Sequence, residues 1–125
     1  MEQSRKPLHF VRRSRVDLRE FPEDVRKEIG FALHLAEFGE KASNAVPLKG
    51  FGGASVLEVV ANFDGDTFRC MYTVRWPKAV YVLHAFQKKS KTGPTTPKKE
   101  IDLVRSRLRD AERHYKETYE SQERA

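Results

Sequence analysis

Cysteine is nearly missing from this chain of 125 residues: Cys70 stands alone. A lone cysteine excludes an internal disulfide, and it excludes a structural zinc site built from several thiolates. Long apolar runs are missing too. None approaches the roughly 18 residues of a membrane span, so no membrane partner is expected. The opening MEQSRKPLHF carries no apolar core of a secretory signal, and a cytoplasmic domain is the expectation. His9, His34, His84 and His114 form no i, i+4 pair and no HExxH spacing. No metal and no other cofactor is expected. A strained GxSxG nucleophile turn is also lacking. Gly50-Phe51-Gly52-Gly53 lacks the GxxxxGK[ST] spacing of a phosphate loop and reads as a turn before a strand.

Charge is plentiful. Lys and Arg number 24 against 18 Asp and Glu, a net charge of +6, which favours polyanionic partners. Its distribution is uneven. Residues 86–99 hold Lys88, Lys89, Lys91, Lys98 and Lys99 with no acid, and residues 1–19 hold six basic residues against two acids. Residues 20–40 between them are acidic, with Glu20, Glu23, Asp24, Glu28, Glu37 and Glu40. The pattern suggests a two-sided molecule. The length suits one domain, expected over 1–116, with 117–125 a polar, frayed tail.

The hydrophobic pattern predicts a short strand over 8–13 and a helical turn over 15–20. Val25, Ile29, Ala32, Leu33 and Ala36 share one helical face, and Gly39 is a natural stop. Gly30 inside that helix suggests a close-packed neighbour. Residues 39–55 read as a loop anchored by Leu48 and Phe51. Three strands follow: 55–63, closed by the hairpin signal Asp64-Gly65; 68–76; and 79–86, whose almost unbroken apolar run predicts cover on both faces. A last helix starts at Thr96-Pro97, with Thr96 as its cap. It buries Ile101, Val104, Leu108, Ala111 and Tyr115. The expected fold is α+β: a mainly antiparallel sheet of about four strands against N-terminal helices and a C-terminal helix.

Alternation puts Arg69, Met71, Thr73 and Arg75 on one sheet face and Phe68, Cys70, Tyr72 and Val74 on the other. In the last strand His84, Phe86 and Lys88 share a face, opposite Leu83, Ala85 and Gln87. Lys88 and Lys89 fall just past that strand's end. Antiparallel neighbours bring Arg69 and this lysine pair to one sheet edge, a cation cluster suited to phosphate. Arg69 can equally pair with Glu58 or Asp66, and the two roles are compatible. His84 has the chemistry of an acid or base but sits in an apolar strand, where a satisfied core histidine is the alternative. Tyr72 either packs in the core or helps position a phosphate or base.

LKGFGGASVLEV, FDGDTFRCMYTVRW and AVYVLHAFQKKSKTGPTTPKKEIDLVRSRL, in this order and spacing, resemble the RelE/ParE superfamily of toxin–antitoxin toxins. The likeness is to its phage-derived, HigB-like subgroup, and it runs from about Leu8 to Tyr115. It implies a twisted, mainly antiparallel sheet packed on helices. It also implies a type II toxin that cleaves mRNA on the ribosome without metal, through attack of the 2′-hydroxyl on the adjacent phosphate. Arg69, in Phe68-Arg69-Cys70-Met71-Tyr72, matches the arginine of the family's YRLVY-like strand. Lys88 and Lys89 match its basic pair. Arg69, Lys88, Lys89, His84 and Tyr72 are the implied catalytic candidates, with Lys91, Lys98 and Lys99 on RNA. The implied partners are the ribosome, mRNA and a cognate antitoxin of helix-turn-helix type. Where relatives read Glu-Leu-Arg, this chain reads Glu58-Val59-Val60, and no basic residue occurs from Val56 to Phe63. The related ParE toxins use the same fold to inhibit DNA gyrase without enzymatic action, the alternative function.

Overall fold

The computed structural model describes residues 4–88 and 96–121. Five strands form one sheet: β1 (Leu8–Phe10), β2 (Ala45–Pro47), β3 (Val56–Phe63), β4 (Asp66–Thr73) and β5 (Val80–Lys88), in spatial order β1-β5-β4-β3-β2. The helices are α1 (Ser14–Arg19), α2 (Glu23–Glu37) and α3 (Lys98–Tyr115), which runs into a π-helical turn at Lys116–Glu120. The architecture is the expected α+β fold, with one strand more. That strand, β2, lies inside the segment read as a loop. It pairs antiparallel with β3 over only three residues, too few to show alternation.

β3 and β4 are joined through Asp64 and Gly65, both at positive φ, the backbone a two-residue hairpin requires. β4 pairs antiparallel with β5, and β5 pairs in parallel with β1. β5 is therefore flanked on both sides, and its apolar residues are needed on both faces.

On one face Val25, Ile29, Ala32, Leu33 and Ala36 of α2 pack on Leu57, Val59, Cys70, Tyr72 and Val82. On the other, Val104, Ala111 and Tyr115 of α3 pack on Val56, Met71, Tyr81 and Leu83. Both stripes are those the periodicity predicts. Gly39 takes a positive φ just past α2 and its N–H closes on Ala36. Gly30 was expected to meet a close neighbour, yet it faces open space.

Two registers differ from simple alternation. A bulge between Met71 and Tyr72 pairs Met71 with His84 and Tyr72 with Val82, leaving Leu83 as the extra residue. Leu83 thereby joins the α3 face instead of sharing a side with Ala85. β5 also runs on to Lys88, which pairs across from Thr67 and ends the strand rather than following it. At the C-terminus the residues expected to fray from 117 continue the helix through Glu120, and the Tyr119 ring lies tilted against Tyr115 and His9. Among the described residues no helix is long and apolar enough to cross a membrane.

Candidate functional site

Three rows of paired residues make up the α3 face of the central sheet. They are Glu58–Met71–His84, Val60–Arg69–Phe86 and Asn62–Thr67–Lys88. Arg69 occupies the middle of this grid, with Glu58, His84 and Lys88 at three of its corners. Diagonal neighbours on a sheet lie roughly 7–8 Å apart at Cα, within reach of long side chains. The sequence scatters these residues over 31 positions; strand pairing collects them.

Arg69 is only 5% exposed, and Glu58 only 6%. An Arg69 Nη1–H donates to Glu58 Oε1 at 3.1 Å and to Thr96 Oγ1 at 3.2 Å, and the Thr96 hydroxyl donates on to Glu58 Oε2 at 2.8 Å. This closed triangle fixes the guanidinium plane. The Arg69 Nε–H is buried and has no acceptor among the described residues. The ion pair is one of the two the sequence allowed. Thr96 was expected to cap α3, but the helix starts at Lys98 with no side-chain cap, and Thr96 is spent on the arginine.

His84 is fixed as firmly. Its Nδ1 lies 2.9 Å from Arg107 Nη1 and its Nε2 lies 2.9 Å from Glu100 Oε2. A guanidinium can only donate, so Nδ1 is the acceptor and Nε2 carries the proton given to Glu100. The same Arg107 Nη1 donates to Leu83 O at 3.2 Å, at the bulge. Burial lowers the Arg107 pKa, opposed in part by the Asp17 carboxylate. His84 is thus a satisfied histidine, and it stacks on Phe86 at 5.3 Å between centroids. It is also diagonal to Arg69 on the same face.

Tyr72 does not join the group. It lies on the opposite, α2 face, fully buried, with its hydroxyl unpartnered among the described residues. Burial, followed by the neighbouring Cys70, pushes its pKa up to about 12. Cys70, on that same face, is also pushed up to about 12 by burial, the mark of an inert packed thiol. Lys88 is buried at the corner of the grid. Lys98 and Lys99 are exposed on the first turn of α3, where Lys98 pairs with Asp102. Lys89 and Lys91 lie outside the described residues.

Glu58, Thr96, Glu100 and Arg107 are the members that sequence reading did not assign to the site. Only Glu58 left a signal, as the acid on a neighbouring strand facing Arg69. Chemically, the face offers a fixed arginine fork with one idle donor, a buried lysine, and a histidine of defined tautomer. Such a set can hold an anion. Among the described residues no group of three or more His, Cys, Asp or Glu side chains could hold a metal ion.

Residues 16–109 match the family model described as phage derived protein Gp49-like, three quarters of the chain. That stretch contains all of α2, the whole β3–β5 meander and every residue of the grid. No curated protein matches the chain significantly. The chain therefore belongs to the Gp49-like family of phage-derived proteins, within the RelE-like toxin superfamily, whose members are paired with cognate antitoxins.

Proposed function

We propose that this protein is a HigB-like type II toxin that cuts mRNA on the ribosome in the cytoplasm, without metal, and is neutralised by a helix-turn-helix antitoxin. The observation that carries the reading is the Arg69 guanidinium, buried at the centre of the grid with an Nε–H that lacks an acceptor among the described residues. An idle buried donor is costly, and a phosphate oxygen would satisfy it.

In the reaction, the 2′-oxygen forms a bond to the adjacent phosphorus and gives its proton to a base. The bond from phosphorus to the 5′-oxygen breaks, and that oxygen takes up a proton. The products are a 2′,3′-cyclic phosphate and a free 5′-hydroxyl. Negative charge gathers on the non-bridging oxygens, where Arg69 and Lys88 stabilise it. Glu58 and Thr96 hold the arginine in plane. The leaving oxygen takes its proton from water; His84, neutral and held by Arg107 and Glu100, walls the site beside Arg69. Lys89, Lys91, Lys98 and Lys99 add contacts to the RNA backbone. Tyr72 takes no part.

Primer extension on mRNA from cells pulsed with the protein tests this. Discrete cuts are expected with the native chain. An Arg69→Ala chain should show them reduced on the order of a hundredfold or more, the usual effect of removing a donor to developing charge. Unchanged cuts would remove Arg69 from the mechanism. A ParE-like inhibitor of gyrase is the second reading, favoured by the absence of any basic residue in β3. Double-strand DNA breaks with intact mRNA would select it.

A further inference from the structure

A cavity of about 350 Å³ opens beside the Arg69 triangle. Val46, Pro47 and Ile101 give it apolar walls, and its polar groups are Glu58, Thr96 and Lys49. Ligand clefts start at roughly 300 Å³, so the space fits a single nucleotide and little more. Val46, about half exposed, and Pro47 come from the edge strand β2, and Ile101 from the first turns of α3. The cleft thus lies between the two elements that flank Glu58.

Glu58 is shared. Its Oε1 accepts from Arg69 and its Oε2 accepts from Thr96, one hydrogen bond each. A carboxylate oxygen can accept two, so among the described residues each retains a free acceptor position. Apolar walls around a two-oxygen acceptor suit a planar ring that offers two adjacent donors. Among the RNA bases, guanine alone presents such an edge, with N1–H beside the 2-amino group. The Lys49 ammonium supplies a cation for the attached phosphate.

We infer that this cleft is a guanine pocket, in which Glu58 reads the base while its other side holds Arg69. The inference rests on the RNA-cleaving reading only for the ligand's belonging to an RNA chain. Base identity and the placing of Arg69 would then be coupled through one carboxylate, since the base docks on the same Glu58 that holds the arginine.

Binding of GMP, IMP, AMP and UMP to the full chain, followed by NMR shifts of the β2, β3 and α3 amides, tests the pocket without any cleavage. GMP should bind about tenfold more tightly than IMP, which lacks only the 2-amino group, because one hydrogen bond to a charged acceptor is at stake. Glu58→Gln should abolish the difference between GMP and IMP. Val46→Glu, an exposed change on the cavity wall, should weaken all four nucleotides without unfolding the chain. Equal affinity for GMP and IMP, or a preference for GMP that survives Glu58→Gln, would overturn the proposal. Cleavage maps separate the two readings. Efficient cutting with no guanine preference at the cut sites refutes the pocket and leaves the nuclease reading standing. Guanine-selective binding in a chain that cuts no RNA supports the pocket and refutes the nuclease reading.

Discussion

Arg69 and Glu58 make a buried ion pair, and buried pairs have asymmetric energetics. Removing one member strands a charge in a dry site and costs about 3–5 kcal/mol, whereas replacing both with apolar residues of similar size is often neutral. The single variants Arg69→Ala and Glu58→Ala should each lose about that much stability by urea denaturation. The double variant Arg69→Met, Glu58→Leu should recover most of it while remaining unable to cut RNA. A double variant that is stable and active would remove both residues from the chemistry. Tyr72 gives the opposite case. Its hydroxyl is buried without a partner among the described residues, so Tyr72→Phe should be neutral or stabilise by up to about 1 kcal/mol, with RNA cleavage unchanged. Arg69 was legible in the sequence because alternation and a neighbouring acid pointed to it. Thr96 was not, because a threonine before a proline looks the same whether it caps a helix or serves an arginine across the sheet.

Among the elements, α2 and the apolar stripe of α3 were readable because burial imposes a 3.6-residue period on each. The bulge in β5 was not, since an extra residue leaves no mark in an apolar run. It matters to the site: Leu83 O accepts from Arg107, and that arginine sets the tautomer of His84. Arg107→Met should free the His84 ring beside Arg69 and reduce cleavage by a factor of about ten or more, as expected when a group that positions the site is lost. Single-turnover rates would show it, and an unchanged rate would contradict the role. The C-terminal helical turn is fastened differently. His9 Nε2 meets the Tyr119 hydroxyl at 2.6 Å, and the Tyr81 hydroxyl meets His114 Nδ1 at 2.7 Å. Burial, and then the nearby His114, lower the His9 pKa below its ordinary 6.5. The unfolded chain therefore binds this proton more readily than the folded one. The contribution of His9 to stability is fully present above about pH 6.5 and is lost as pH falls through the lower folded-state value. His9→Gln should flatten the thermal melting temperature between pH 7 and pH 5, and an unaltered slope would contradict the assignment.

For the whole molecule, Arg12 of the first basic segment and Lys98 of the second lie well apart. Arg12 reaches Asp110 at 3.0 Å, while Lys98 begins the same helix twelve residues earlier. At 1.5 Å per residue that is about 18 Å along α3. Composition revealed the excess of positive charge, but strand order decides where it goes. β1 pairs in parallel with β5 at one sheet edge and carries the N-terminal arginines to the side away from β2 and β3. Arg69 and Glu58 of the grid are buried and paired with each other, so the exposed excess of positive charge is what draws polyanions to the surface.

The central claim is that the buried grid around Arg69 cuts RNA. The most direct measurement is a reconstituted translation system programmed with a defined mRNA, given either the native protein or the stable Arg69→Met, Glu58→Leu variant. The native chain should leave discrete fragments ending in 2′,3′-cyclic phosphates, and the folded variant should leave the message whole. Intact mRNA with the native chain, or equal cutting by both, would contradict the account.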